Sequence, residues 1–194
     1  PGLLAIILQQ TLLIGVAATF TSEREEKKLL NLYQISKQSI SKMIFGKSML
    51  YFVVFMIFGF FFSVVNFSVF NVEVRGNYFD LAVVSALFIA TIIVFGMLIG
   101  SFFKTKLFAF QVLVFSSYPI FLITGYSMPY QALPRFVQIL SDMLPTSPFL
   151  KTYISIVQAG GSLSDNLSSV IHLIVLWIVF ELLLILRIKY LVKI

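Results

Sequence analysis

The sequence predicts an all-α polytopic membrane protein: five transmembrane helices, a cytoplasmic amphipathic segment and short re-entrant outer helices. Three observations carry that prediction. Of the 194 residues, 59% are hydrophobic and only 11% charged, against roughly 25% charged in soluble domains. Mean hydropathy is +1.01, and phenylalanine alone occurs 22 times. The charges are also gathered into short runs, which leaves 1–22, 48–72, 81–103, 107–134 and 166–180 free of them, the last continuing past Glu181 to Leu186. A helix rises about 1.5 Å per residue, so about 20 apolar residues cross a hydrocarbon core of about 30 Å. A soluble fold of this length could not cover so much apolar surface, which excludes soluble enzymes, nucleic-acid binders and disordered tails.

The spans are expected near 3–21, 49–70, 80–103, 107–127 and 169–187, within a single transmembrane domain covering 1–194. The second is the least ambiguous, with 15 Leu, Ile, Val or Phe between Leu50 and Phe70. At about −0.3 to −0.6 kcal/mol each, these favour insertion by roughly 5–9 kcal/mol as an upper bound. The runs are continuous rather than alternating, which argues against a β-barrel. Residues 1–22 lack a basic start and are followed by an acidic cluster, unlike a cleavable signal peptide. With no cysteine and one histidine, His172, the chain carries no disulfide framework, thiolate nucleophile or multi-histidine metal site.

Orientation follows from Lys and Arg. Arg24, Lys27, Lys28, Lys37, Lys42 and Lys47 lie in 21–48, Lys104 and Lys106 in the next short turn, and Arg187, Lys189 and Lys193 at the end. The opposite loops hold Arg75, Arg135 and Lys151. The positive-inside bias makes the richer side cytoplasmic, with residue 1 outside and Ile194 inside. An outside start anticipates at least one earlier span.

The polar connections are informative. Within 21–48, Leu29, Leu32, Tyr33, Ile40, Met43 and Ile44 share one helical stripe. Thr21 or Ser22 is placed to cap a helix whose first turn holds Glu23, Glu25 and Glu26. Such a segment serves either as an interfacial anchor or as a docking element for a soluble partner. Gly46-Lys47-Ser48 is not a phosphate loop, because position 41 is Ser and a membrane span follows; Lys47 is expected to snorkel at the lipid–water boundary. Gly96 and Gly100 leave a flat strip for close helix packing, by default within the chain. Pro119, next to Ser116 and Ser117, interrupts the fourth span, either lining a route or shaping packing. Residues 128–168, punctuated by Pro129, Pro134, Pro145 and Pro148, are expected to form two short helices dipping into the outer face under protein cover, with Gly160-Gly161 turning into the last span. Glu181 is the one acid well inside a span, where it should line a polar path or pair with a base such as Arg187 or Lys189 of a neighbour. Gln9, Gln10 and Asn66 are candidates for interhelical hydrogen bonds.

Four stretches in this order resemble the membrane permease of type-two ATP-binding-cassette (ABC) transporters. They are the Pro-led span Pro1–Phe20 running into Ser22-Glu23-Arg24-Glu25-Glu26, then Gly46-Lys47, then Gly96-Met97-Leu98-Ile99-Gly100-Ser101-Phe102-Phe103-Lys104-Thr105, and last Gly125-Tyr126-Ser127-Met128-Pro129 with Pro134 and Leu144-Pro145. Lys27-Lys28-Leu29-Leu30 stands where the family commonly has G-T-L-E. The resemblance implies a pathway-forming subunit of a bacterial inner-membrane exporter, lacking the family's first span here. It implies a cytoplasmic coupling helix over Glu23–Leu32, with Glu23, Arg24, Glu25, Glu26, Leu29 and Leu32 facing a separate ATPase. That partner would bind ATP and magnesium; this chain would hold no cofactor and would not be an enzyme. A second permease half, identical or related, would complete the pathway. Residues 128–150 would be a re-entrant gate, with Pro119, Gly125, Pro129 and Pro134 at its bends.

Other functions make different demands on the same residues. A membrane scaffold or anchor would pack dry inside, with Glu181 paired. A secondary transporter would use Glu181 but lacks clustered intramembrane charges. An intramembrane enzyme needs a nucleophile–base pair. His172 and Glu181, nine residues apart, face opposite sides of one helix, because nine steps of about 100° leave a net half-turn.

Overall fold

The computed structural model describes residues 2–69, 74–124 and 130–192, with side chains throughout except at residues 2, 4, 5 and 62–69. Among the described residues eight α-helices follow one another: α1 Gly2–Glu25, α2 Leu29–Ile35, α3 Ile40–Val69, α4 Tyr78–Gly100, α5 Lys106–Ile123, α6 Arg135–Asp142, α7 Thr146–Ala159 and α8 Leu167–Val192. Short 3-10 turns at Tyr130–Ala132 and Ser164–Asn166 precede α6 and α8. No strand occurs among the described residues. The five long helices α1, α3, α4, α5 and α8 are each long and apolar enough to cross a membrane. The chain is an all-α, multi-pass membrane protein.

α4 is the central post. It packs against α1, α3, α7 and α8, and α5 leans on α1. Over half of the spanning portions of α1 and α4 is buried, against 6% for α3, 11% for α5 and 17% for α8. The core therefore sits where α1, α4, α7 and α8 meet, around Phe20, Phe88, Ile92, Met97, Ile156 and Leu184. Phe88 of α4 stacks on Phe149 of α7 with ring centroids 3.8 Å apart, and Phe149 touches Tyr153. α7 is buried from Thr146 to Leu150, so it is held by protein rather than lipid. Its end is set by Gly160, whose φ of 71° lies in the left-handed region that glycine enters without strain.

Three local expectations are corrected. No separate helix begins at the acidic cluster: α1 runs on through Glu25, so Thr21 and Ser22 lie inside it instead of capping a new one. The Thr21 hydroxyl shares its proton between the carbonyls of Ala17 at 2.8 Å and Gly100 at 2.9 Å. α3 begins at Ile40, nine residues before the expected span, because the apolar stripe of 40–44 continues helically into it; Met43 and Ile44 are buried in the core. The stripe over 29–44 is also not one helix. Lys37 and Gln38, with φ of 53° and 58°, break it between α2 and α3. Neither is a glycine or asparagine, so no local signal marked the break.

Candidate functional site

The end of the bundle that gathers most of the Lys and Arg is built around the last turn of α1. Three consecutive side chains there reach three different helices. Glu23 forms an ion pair with Lys47 of α3, and both side chains are largely buried, at 21% and 13% exposed. Lys47 also lies 5.2 Å from the Phe20 ring centroid, within cation–π range. The Lys47 ammonium is met by Glu23 because α1 and α3 pack side by side here.

Arg24 donates through Nη1 to the carbonyl oxygens of Ser101 at 2.7 Å and Phe103 at 3.0 Å, just past the end of α4. A helix C-terminus presents unpaired carbonyls and partial negative charge, which a guanidinium satisfies on both counts. Glu25 does the converse. Its carboxylate accepts the Lys106 backbone N–H at 2.9 Å at the start of α5, where Thr105 makes no side-chain cap of its own. Acid at a helix N-terminus is the favourable polarity. Glu26 turns outward to Lys28, with Ser22 also donating to it, and these two hold its carboxyl below the usual range.

Beneath this turn α1 and α4 touch closely. A Cβ on Gly100 would lie 2.6 Å from the Ala17 carbonyl oxygen and 3.0 Å from its Cα. One on Gly96 would lie 3.1 Å from the Val16 side chain. Beside it, α2 buries Leu29 and half-buries Leu32, while Leu30 and Ile35 stay exposed.

The remaining expected positions fall elsewhere. Pro119 sits inside α5, which continues to Ile123, and its ring is exposed. Ser117 bonds the Leu113 carbonyl at 2.9 Å and lies 3.4 Å from Gln10 Oε1 of α1. Thr146 of α7 donates to Gln9 Oε1, so Gln9 ties α1 to α7. Pro134 precedes α6 on the surface. Gly125 and Pro129 lie outside the described residues, as does the side chain of Asn66.

Glu181 of α8 forms no ion pair among the described residues. Arg187 instead lies over the rings of Phe102 and Tyr190, at 4.9 and 5.4 Å. Glu181 borders a cavity of about 270 Å³ between α3, α4 and α8. The residues that sequence reasoning missed are Lys47, as partner of Glu23, and Ser48 beside that cavity. The signal for Lys47 was the adjacency of a Gly-Lys pair and an acidic triplet in neighbouring helices.

The family model described as ABC-2 family transporter protein matches residues 1–186. Comparison with curated proteins and with solved structures gives no match.

Proposed function

Since the chain belongs to the ABC-2 family of transporter proteins, as a membrane-embedded permease subunit, we propose that it forms the pathway of an ATP-driven exporter powered by a separate cytoplasmic ATPase. ATP and magnesium belong to that partner, and this chain supplies no catalytic group. A second permease half, the same chain or a related one, completes the pathway. The weakly buried α3 and α5 leave ample apolar surface for it and for lipid. The basic end faces the cytoplasm of a bacterial inner membrane, as the positive-inside bias favours.

One observation carries the coupling: Glu23, Arg24 and Glu25 fasten α3, α4 and α5 to a single turn of α1. A push on that turn reaches three other helices at once. The spare surface through which a partner can push is Glu26–Lys28 with Leu30 and Ile35 of α2, all of it exposed. Glu23, Arg24 and Glu25 thus transmit within the chain, and the α2 edge receives.

The test is co-purification from native membranes with a tag on this chain. A vanadate-sensitive ATPase subunit is expected to accompany the wild type. It should be lost from the Leu30→Glu, Ile35→Glu double variant while thermal stability in detergent is unchanged. Retention of the ATPase and of coupled transport in that variant would remove α2 as the receiving surface. Absence of any ATPase from the wild-type complex would favour a scaffold instead.

A further inference from the structure

The cavity between α3, α4 and α8 has a chemistry of its own. Its walls are apolar, from Phe45, Met49 and Phe52 on α3 and Ile93 and Val94 on α4. Its volume is about 270 Å³. α3 and α8 touch only sparsely, so the space opens sideways between them.

Besides the exposed Ser41, three polar features stand in this greasy wall. Glu181 has no ion pair or hydrogen bond among the described residues. Trp177, one turn earlier on α8, shares the cavity with it, since residues four apart lie on one helix face. The third is Ser48. Hydroxyls such as those of Thr11, Thr19, Thr91 and Thr152 bond back to the carbonyl four residues earlier. The Ser48 hydroxyl is buried and has no hydrogen-bond partner among the described residues.

A carboxylate next to an indole face is a recognised arrangement for an organic cation. The carboxylate supplies charge, and the ring quadrupole adds attraction once water is excluded. Neither feature suits an anion, and a neutral hydrocarbon would leave both unanswered. We propose that this cavity binds a lipophilic amine: one ammonium between Glu181 and Trp177, with its hydrocarbon against Phe45, Met49 and Phe52. A zwitterionic phospholipid fits less well, because its phosphate would approach the same carboxylate. The inference concerns binding by this chain alone and does not rest on the transport reading.

Trp177 is the sole tryptophan, so its fluorescence reports on the site directly. The full chain in phosphatidylcholine nanodiscs is titrated with a bromo-octylamine, with bromo-octanol and bromo-octanoate as matched controls, because bromine quenches indole on contact. Saturable quenching by the amine is expected at roughly tenfold lower concentration than by the alcohol, as a charge-assisted contact in an apolar site warrants. Glu181→Gln should move the amine curve onto the alcohol curve; it removes a charge from a span, so insertion does not suffer. Ala90→Phe, which fills the cavity from α4, should abolish saturable quenching by both. Equal quenching by amine and alcohol in the wild type would overturn the proposal. So would an amine preference that survives in Glu181→Gln.

Discussion

Gly100 and Gly96 show how much one methyl group can matter where two helices touch. Ordinarily glycine in a helix interior is a handicap of about 1 kcal/mol relative to alanine. At Gly100 the added carbon would meet backbone atoms of Ala17, which have nowhere to go without separating α1 from α4. Overpacking of that kind costs about 1–3 kcal/mol, so the clash should outweigh the gain in helix propensity. Gly100→Ala is expected to lower the melting temperature in detergent. Gly96→Ala meets the Val16 side chain at 3.1 Å and the Leu13 carbonyl oxygen at an ordinary contact distance of 3.4 Å, and should stay closer to the wild type than Gly100→Ala. A melting temperature for Gly100→Ala at or above the wild-type value would show that the α1–α4 seam is looser than described. The GxxxG spacing was visible in the chain, but it named no partner; α1 as the partner comes from the packing.

At the scale of elements, the last turn of α1 works as a knot between helices. The Glu23–Lys47 pair is the part of it most withdrawn from water, and breaking a buried pair by removing one partner costs about 3 kcal/mol or more. Glu23→Lys and Lys47→Glu should each destabilise the protein on that scale, since each leaves like charges facing one another. Combined, they restore an opposite pair, and most of the lost stability should return. A double variant no more stable than the singles, followed by thermal unfolding, would mean that the two side chains do not interact. The same knot explains why charge reversal at Glu23 or Glu25 is a poor probe of docking: both carboxylates already have partners in the chain. Glu26 and the outer edge of α2 are the positions where surface chemistry can be altered without untying it.

Across the whole molecule, the basic ends of α1, α3, α4, α5 and α8 lie together, while Arg75, α6, α7 and the 160–166 turn lie at the other end. Arg75 donates to the Gln158 carbonyl there, and Asp80 accepts from the Leu163 amide. Because the chain has no native cysteine, single cysteines report sidedness cleanly. Lys28→Cys should be labelled by a membrane-impermeant maleimide only after cells are opened, and Ser162→Cys in intact cells. The reverse pattern would invert the orientation and place α2 out of reach of any cytoplasmic ATPase.

Composition and spacing were enough for the number of spans, their order and the side on which the cations collect. Partition into hydrocarbon depends on local length and polarity, which a linear chain displays openly. Pro145 and Pro148 likewise announced short helices, found as α6 and α7. Tertiary packing alone selected the partners of the polar residues. Glu23, Arg24 and Glu25 sit side by side, yet they reach groups 24, 77 and 81 residues away. Which of them meets a base, a helix C-terminus or a helix N-terminus depends on how α1 is rotated against its neighbours. Glu181 illustrates the same rule in reverse: its place in a span was evident, but the cavity it shares with Trp177 and Ser48 arises where α3 and α8 part over α4.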